Sequence, residues 1–274
     1  MPNSTSRAES GAGPQRIVCL TEETTEWLYL LGEQARIVGI SGYTVRPRRA
    51  RQEKPRVSSF LDGRLDRITA LGPDLVIGFS DMQADLANRL IRAGLNVLIT
   101  NQRSVEEIYA TLRLVAALVH ANDRAEAWIT QCVRRHAAIA ATVATWPRRP
   151  RVYFEEWDEP MISAIGWVSE LMAIAGGDDV FPELARRAMG RDRVVSDPME
   201  PARRRPDLIV GSWCGKKFRP ERVLARDGWS VAPAVQHGQL HEIKSCDILQ
   251  PGPAALTDGT EQLHRLFAAW AALA

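Results

Sequence analysis

One short motif occurs twice. Pro73-Asp-Leu-Val-Ile-Gly78 returns as Pro206-Asp-Leu-Ile-Val-Gly211, 133 positions later. Each copy is an apolar run of strand length, set between a Pro-Asp turn and a glycine. The opening apolar runs, Arg16-Ile-Val-Cys-Leu20 and Arg151-Val-Tyr-Phe154, are 135 apart, and Glu-Glu pairs follow them at Glu22-Glu23 and Glu155-Glu156. Matching offsets in two halves point to a duplicated lobe. Chance similarity between two common βα patterns is the alternative.

The runs around these copies define the fold class. In the first half Arg36–Ile40 and Leu95–Ile99 read as further strands. Helical stretches lie between them at about 22–31, 65–71 and 82–93, the first stopping at Gly32 and the last at Gly94. In the second half Leu240–Ile243 is another strand, and a helix over about 167–175 stops at Gly176-Gly177. Four- and five-residue apolar strands alternating with helical periods predict parallel sheets built from βα units. Between the halves, Val105–His120 is amphipathic. A second helix, capped by Asn122-Asp123, runs to about Trp146 before Pro147. Some 24 residues at about 1.5 Å each reach about 36 Å, the length of a strut between two lobes; two ordinary helices packed on one lobe are the alternative. The expected division is a disordered tail over 1–14, an N-terminal α/β lobe over 15–103, a helical linker over 104–147 and a C-terminal α/β lobe over 148–274.

Composition narrows the function. The chain of 274 residues carries 35 basic and 33 acidic side chains, a net charge of +2 that selects neither nucleic acid nor an anionic membrane as partner. No apolar run reaches the roughly 18 residues of a membrane helix, so no membrane insertion is expected. The first residues, MPNSTSRAESGAGPQ, lack an apolar core of the signal-peptide kind. As written, the chain is expected in the cytoplasm; behind an export sequence it is expected in the periplasm. Cys19, Cys132, Cys214 and Cys246 form no Cys-x-x-Cys pair, which argues against a zinc ribbon or a disulfide framework.

Several segments together resemble a known family. They are RIVCLTEETTEWLYLLGEQARIVGISGY, ALGPDLVIG and RSVEEIYATLRLVAALV in the first half, then PRVYFEEWDEP, GGDDVFPEL and RRPDLIVGSW. Over residues 15 to 270 the chain resembles the class III substrate-binding proteins of ABC importers, most of all their cobalamin-binding branch. The resemblance implies two βα sandwich lobes joined by a single long backbone helix, with a ligand cleft between the lobes. It implies no enzyme activity and no required cofactor, cobalamin as the ligand, an ABC permease as partner and a monomer. It also places permease-contacting carboxylates at Asp66 and Glu200. Siderophore or haem binding is the alternative ligand reading, and Lys216, Lys217, Arg219 and Lys244 keep anionic siderophores in view. A cytosolic enzyme of corrinoid or tetrapyrrole metabolism is the alternative class.

Ligands of open α/β sheets bind beyond the carboxyl ends of the strands. The strand-end segments supply the expected ligand-binding residues: Glu22, Tyr43, Ser80, Trp157, Trp213, Cys214, Lys216 and Lys244. Tyr43, Trp157 and Trp213 are large aromatics suited to a broad, partly flat cofactor. Trp213-Cys214-Gly215-Lys216 is similar to the thioredoxin motif without its second cysteine, so Cys214 reads as a contact residue and not a catalytic thiolate. The paired carboxylates invite an acid/base reading, but capping and dipole complement are the simpler role at a helix start. No metal site is expected, because His237 and His241 do not share a helical face.

Overall fold

The computed structural model describes residues 13–58 and 64–273. It separates into two compact units. One holds the chain up to Asn101 with Thr111–Glu126, and the other Gln102–Ala110 with Ala127 onward. Both are α/β, and each has its own sheet.

The first sheet contains β1 (Ile17–Cys19), β2 (Ile37–Ser41), β3 (Arg56–Ser58), β4 (Leu75–Phe79) and β5 (Val97–Thr100), in the order β3-β2-β1-β4-β5. All its pairings are parallel. Strand order reverses at β1, so the crevice beyond β1 and β4 is the switch point at which such sheets bind ligands. The helices α1 (Glu22–Leu30), α2 (Leu65–Ala70) and α3 (Ala84–Arg92) belong to this unit. Val18, Leu20, Val57, Ile68, Val76, Leu86 and Leu90 form its core.

The chain leaves through α4 (Val105–Leu118) and α5 (Asn122–Val143), both divided between the units. At about 1.5 Å per residue, the 22 residues of α5 span about 33 Å. The second sheet is built on β6 (Arg151–Asp158). It pairs antiparallel with β7 (Met161–Ser163) and parallel with β8 (Asp178–Asp179) and β9 (Leu208–Gly211), and β10 (Leu240–Glu242) extends it beyond β9. Around it lie α6 (Gly166–Ala175), α7 (Glu200–Arg203), α8 (Pro220–Leu224) and α9 (Thr260–Ala271). Tyr153, Phe181, Ile209, Trp213, Phe218 and Trp229 dominate its core.

The repeated motif has the same structural job in both sheets. Asp74 accepts the backbone N–H of Gln15 and Arg16 at 2.6 and 2.9 Å, and Asp207 accepts that of Arg151 at 2.9 Å. Each arginine returns its guanidinium to backbone carbonyls just before the motif, Arg16 to Gly72 and Arg151 to Arg204. The carboxylate thus fixes where the first strand starts against its neighbour. The closing glycines are equivalent too. A Cβ on Gly78 would lie 2.4 Å from Gln83 Oε1, and one on Gly211 would lie 1.9 Å from the Phe218 ring. Each glycine leaves room for a side chain folded over its strand end.

Several sequence expectations change. Residues 1–12 of the expected disordered tail lie outside the described residues, but Pro14 accepts a hydrogen bond from Arg36 at 2.8 Å and belongs to the first lobe. The segment Glu155–Asp158, beyond the apolar run that marks the strand in the sequence, continues β6, because β7 returns alongside it as a hairpin. The two Glu-Glu pairs are therefore not equivalent: Glu22-Glu23 opens a helix, whereas Glu155-Glu156 lies within a strand. The strands β3, β7 and β8, each two or three residues long, had no apolar run to mark them.

Candidate functional site

In lobe one the expected ligand residues cluster at the carboxyl edge. Thr21 precedes α1, whose first turn carries Glu22 and Glu23. The side chains of Glu22, Glu23 and Glu26 are buried, at 8%, 3% and 8% exposure. Arg46 pairs with Glu26 at 2.8 Å. Burial pushes the Glu22 carboxyl up to about 8; Glu23 and Glu26 add to this, while the Val45 N–H and Arg46 oppose it. Burial likewise pushes Glu23 up to about 7, against a hydrogen bond from Thr21. Two neighbouring carboxylates beneath a surface cannot both ionise cheaply.

This has a measurable consequence. The folded chain keeps these protons above the ordinary value of 4.5. Their contribution to stability is therefore full below pH 4.5 and is lost as pH rises through about 7 and 8. Glu22→Gln, which fixes the neutral form, is expected to remove much of the decline in urea-unfolding free energy between pH 5 and 8.5. A decline as steep in the variant as in the parent would show that other groups cause it.

Ser80, at the end of β4, is the strained residue of this edge. Its φ of 67° and ψ of 170° lie in a region that side chains rarely adopt, at a cost on the order of 1–3 kcal/mol. Its N–H donates to Thr100 at 2.8 Å, and its hydroxyl accepts from the Met82 N–H at 3.3 Å. Beside it, buried Gln83 accepts the Phe79 N–H at 3.0 Å and fills the floor between β1 and β4. Tyr43, on the turn after β2, is exposed at 54%.

In lobe two the strand ends are an ion-pair lattice. Glu155, fully buried, takes both terminal nitrogens of Arg226 at 2.7 and 2.9 Å and the Trp213 indole N–H at 3.0 Å. Glu156 points the other way, to buried Arg193 at 2.6 and 3.1 Å. Asp158 holds Lys216 and, at 2.7 Å, Arg222, which also reaches Glu159 at 3.0 Å. Lys216 lies over the half-buried Trp157 ring, 4.0 Å from its centroid. Beyond Asp158 a concavity of about 890 Å³ opens, walled by Met161, Val195, Met199 and Trp229 and rimmed by Arg222 and Arg226.

Trp213 corrects the expected site. It is 2% exposed and packs edge-on against Phe218, with centroids 5.0 Å apart. Its indole turns inward because the buried Glu155 carboxylate needs that donor; the ring is core, not ligand surface. Lys216 is committed to Asp158 and Trp157. Cys214 and Lys244 are exposed at the ends of β9 and β10. The sequence reading missed Arg193, Arg222 and Arg226. The only sequence signal for them was the density of acidic residues on Arg151–Asp158, which need counter-charges once buried.

Asp66 and Glu200 each lie in the first turn of a short surface helix. Asp66 pairs with Arg64 at 3.0 Å, and Glu200 with Arg203 and Arg204 at 3.1 and 2.9 Å. No three or more His, Cys, Asp or Glu side chains converge as metal ligands among the described residues. Among the same residues no helix is long and apolar enough to cross a membrane.

Two sheet-bearing lobes with chemistry gathered at their strand ends define a ligand-binding scaffold, and the chain belongs to the periplasmic binding protein family, whose profile matches residues 17–246. An uncharacterized ABC transporter substrate-binding lipoprotein of Bacillus subtilis, YvrC, is 23% identical over 259 residues, covering 91% of this chain and 79% of that one. A vitamin B12-binding protein of Salmonella choleraesuis is 29% identical over 171 residues, covering 61% of this chain and 63% of that one. Among solved structures, the periplasmic heme-binding protein RhuT of Roseiflexus sp. RS-1 superposes with a TM-score of 0.77 at 22% identity. That likeness covers 93% of this chain and 99% of RhuT, and it is one of fold.

Proposed function

We propose that this chain is the substrate-binding component of an ABC importer and that its ligand is a corrinoid. One observation carries the choice of ligand. At the strand ends of lobe two, Arg193, Lys216, Arg222 and Arg226 are each bound to a carboxylate of β6 or its hairpin; Arg219 pairs with Glu221 at 3.8 Å, and the exposed Lys217 and Lys244 do not line the concavity. An anionic ligand such as an iron-siderophore or the propionates of haem needs cations it can claim. A ligand whose periphery is amide needs none, and the B12-binding relative is consistent with that choice. Haem is the second reading; the Met161 and Met199 thioethers beside Trp229 in the 890 Å³ concavity favour it. Asp66 and Glu200 are proposed as the permease contacts, trading their arginine partners within the chain for those of the permease.

The test is to incubate the protein with cyanocobalamin and, separately, with haemin, desalt, and read the absorption spectrum. Retained cobalamin bands are expected. Retention of haemin alone would replace the corrinoid reading with the haem one. Trp157→Ala is expected to weaken cobalamin binding by roughly 5- to 150-fold, about 1–3 kcal/mol, measured by titration calorimetry. Unchanged affinity would move the ligand away from the β6 hairpin.

A further inference from the structure

At the carboxyl edge of lobe one, buried polar side chains outnumber the partners offered to them; the Thr44 and Ser58 hydroxyls can donate or accept, whereas Glu22 and Glu23, once ionised, can only accept. Among the described residues, four buried side-chain oxygens there have no partner: Glu22 Oε2, Glu23 Oε2, Thr44 Oγ1 and Ser58 Oγ. All four side chains are more than nine-tenths buried. They belong to one connected piece of structure. Glu22 accepts the Val45 N–H, next in the chain to Thr44. The same turn is joined to Ser58 by the bond from Gly42 N–H to the Ser58 carbonyl. Glu22 and Glu23 follow β1, Thr44 follows β2 and Ser58 ends β3, so all four lie at the carboxyl ends of the three strands on one side of the strand-order reversal.

The charges facing the pair are few. Glu22 meets Glu23 and Glu26 from its own helix and Arg46 from the neighbouring loop; Glu23 meets Glu26 and, from β1, the buried Cys19 thiol. Arg46 is bonded to Glu26. A buried carboxyl oxygen without a cation can be satisfied in two ways: it keeps its own proton, or it is given an N–H.

Resting on the reading of this edge as a ligand site, we propose that lobe one takes its ligand through N–H donors, amide or amine, delivered to Glu22 and Glu23, each donor displacing a carboxyl proton into solvent. Amide side chains of a corrinoid belong to this class; propionates do not. Donated hydrogen bonds favour the ionised carboxylate, so binding releases protons and tightens as pH rises from 6 to 8. A carboxylate ligand would do the reverse. It would need the Glu22 and Glu23 protons as its own donors, and its binding would take protons up.

The experiment is titration calorimetry of the full chain with cyanocobalamin and with haemin at pH 7.5, in phosphate and in Tris. These buffers differ widely in ionisation enthalpy, so the difference in measured heat counts protons. Release of about one proton per cyanocobalamin is expected, since groups titrating near 8 and near 7 together hold about one at that pH. The double variant Glu22→Gln/Glu23→Gln, shown by its melting curve to be folded, is expected to bind with no buffer dependence. Cobalamin binding without proton release, or with uptake, overturns this inference and leaves the corrinoid reading standing. So does release that persists unchanged in the double variant. Haemin binding with proton uptake at Glu22 and Glu23 overturns the amide-donor assignment. If neither compound binds, the corrinoid and haem readings fall and this inference with them.

Discussion

Arg226→Ala is expected to destabilise the second lobe by about 3–5 kcal/mol, the cost of leaving a buried carboxylate without its counter-charge. Glu155 is fully buried, and Arg226 gives its carboxylate two hydrogen bonds beside the one from the Trp213 indole. Removing the guanidinium strands a charge that water cannot reach. Adding Glu155→Gln to Arg226→Ala should recover most of the loss, since the amide oxygen still accepts from Trp213 and carries no charge. Urea unfolding followed by tryptophan fluorescence reads both. A loss below about 1 kcal/mol for Arg226→Ala, the range of a surface pair, would mean that Glu155 is hydrated and the ion pair is incidental.

Trp213→Ala should cost a similar amount, about 3–5 kcal/mol as for a fully buried aromatic, and the melting temperature should fall by several degrees. The ring is 2% exposed and lies against Phe218, which itself covers Gly211. Trp213→Phe retains most of the packing but deprives Glu155 of a donor, so an intermediate loss is expected. Ligand affinity in Trp213→Phe should stay close to that of the parent. A large affinity loss with an unchanged melting temperature would return Trp213 to the ligand surface.

The strands that could be read from sequence are those with a continuous apolar run. Leu75–Phe79 and Leu208–Gly211 are buried on both faces, as parallel strands must be, and four or five consecutive apolar residues announce that. Strand β6 was read to only half its length. Its second half is Glu155-Glu156-Trp157-Asp158, and charged residues signal a strand only when their counter-charges are known. Those counter-charges, Arg193, Arg222 and Arg226, come from elements more than 30 residues away. The same blindness misplaced Trp213: a tryptophan after a strand among polar neighbours looks exposed until the buried carboxylate that turns it inward is found. At the edge of lobe one, Glu22 and Ser80 were legible as strand-end residues. The strain at Ser80 and the crowding of acceptors around Glu22 were not, because neither follows from residue type.

The paired aspartate clips at Asp74 and Asp207 have a consequence for engineering. Each clip joins the start of a sheet's first strand to the strand that pairs with it, using only residues in or directly before those two strands. Strand alignment is therefore set twice, and locally. A hybrid that carries one half of this chain and the complementary half of a relative should keep the alignment of both sheets, provided each half brings its own aspartate and arginine. Ligand preference could then be transplanted half by half, without redesigning the scaffold that presents it.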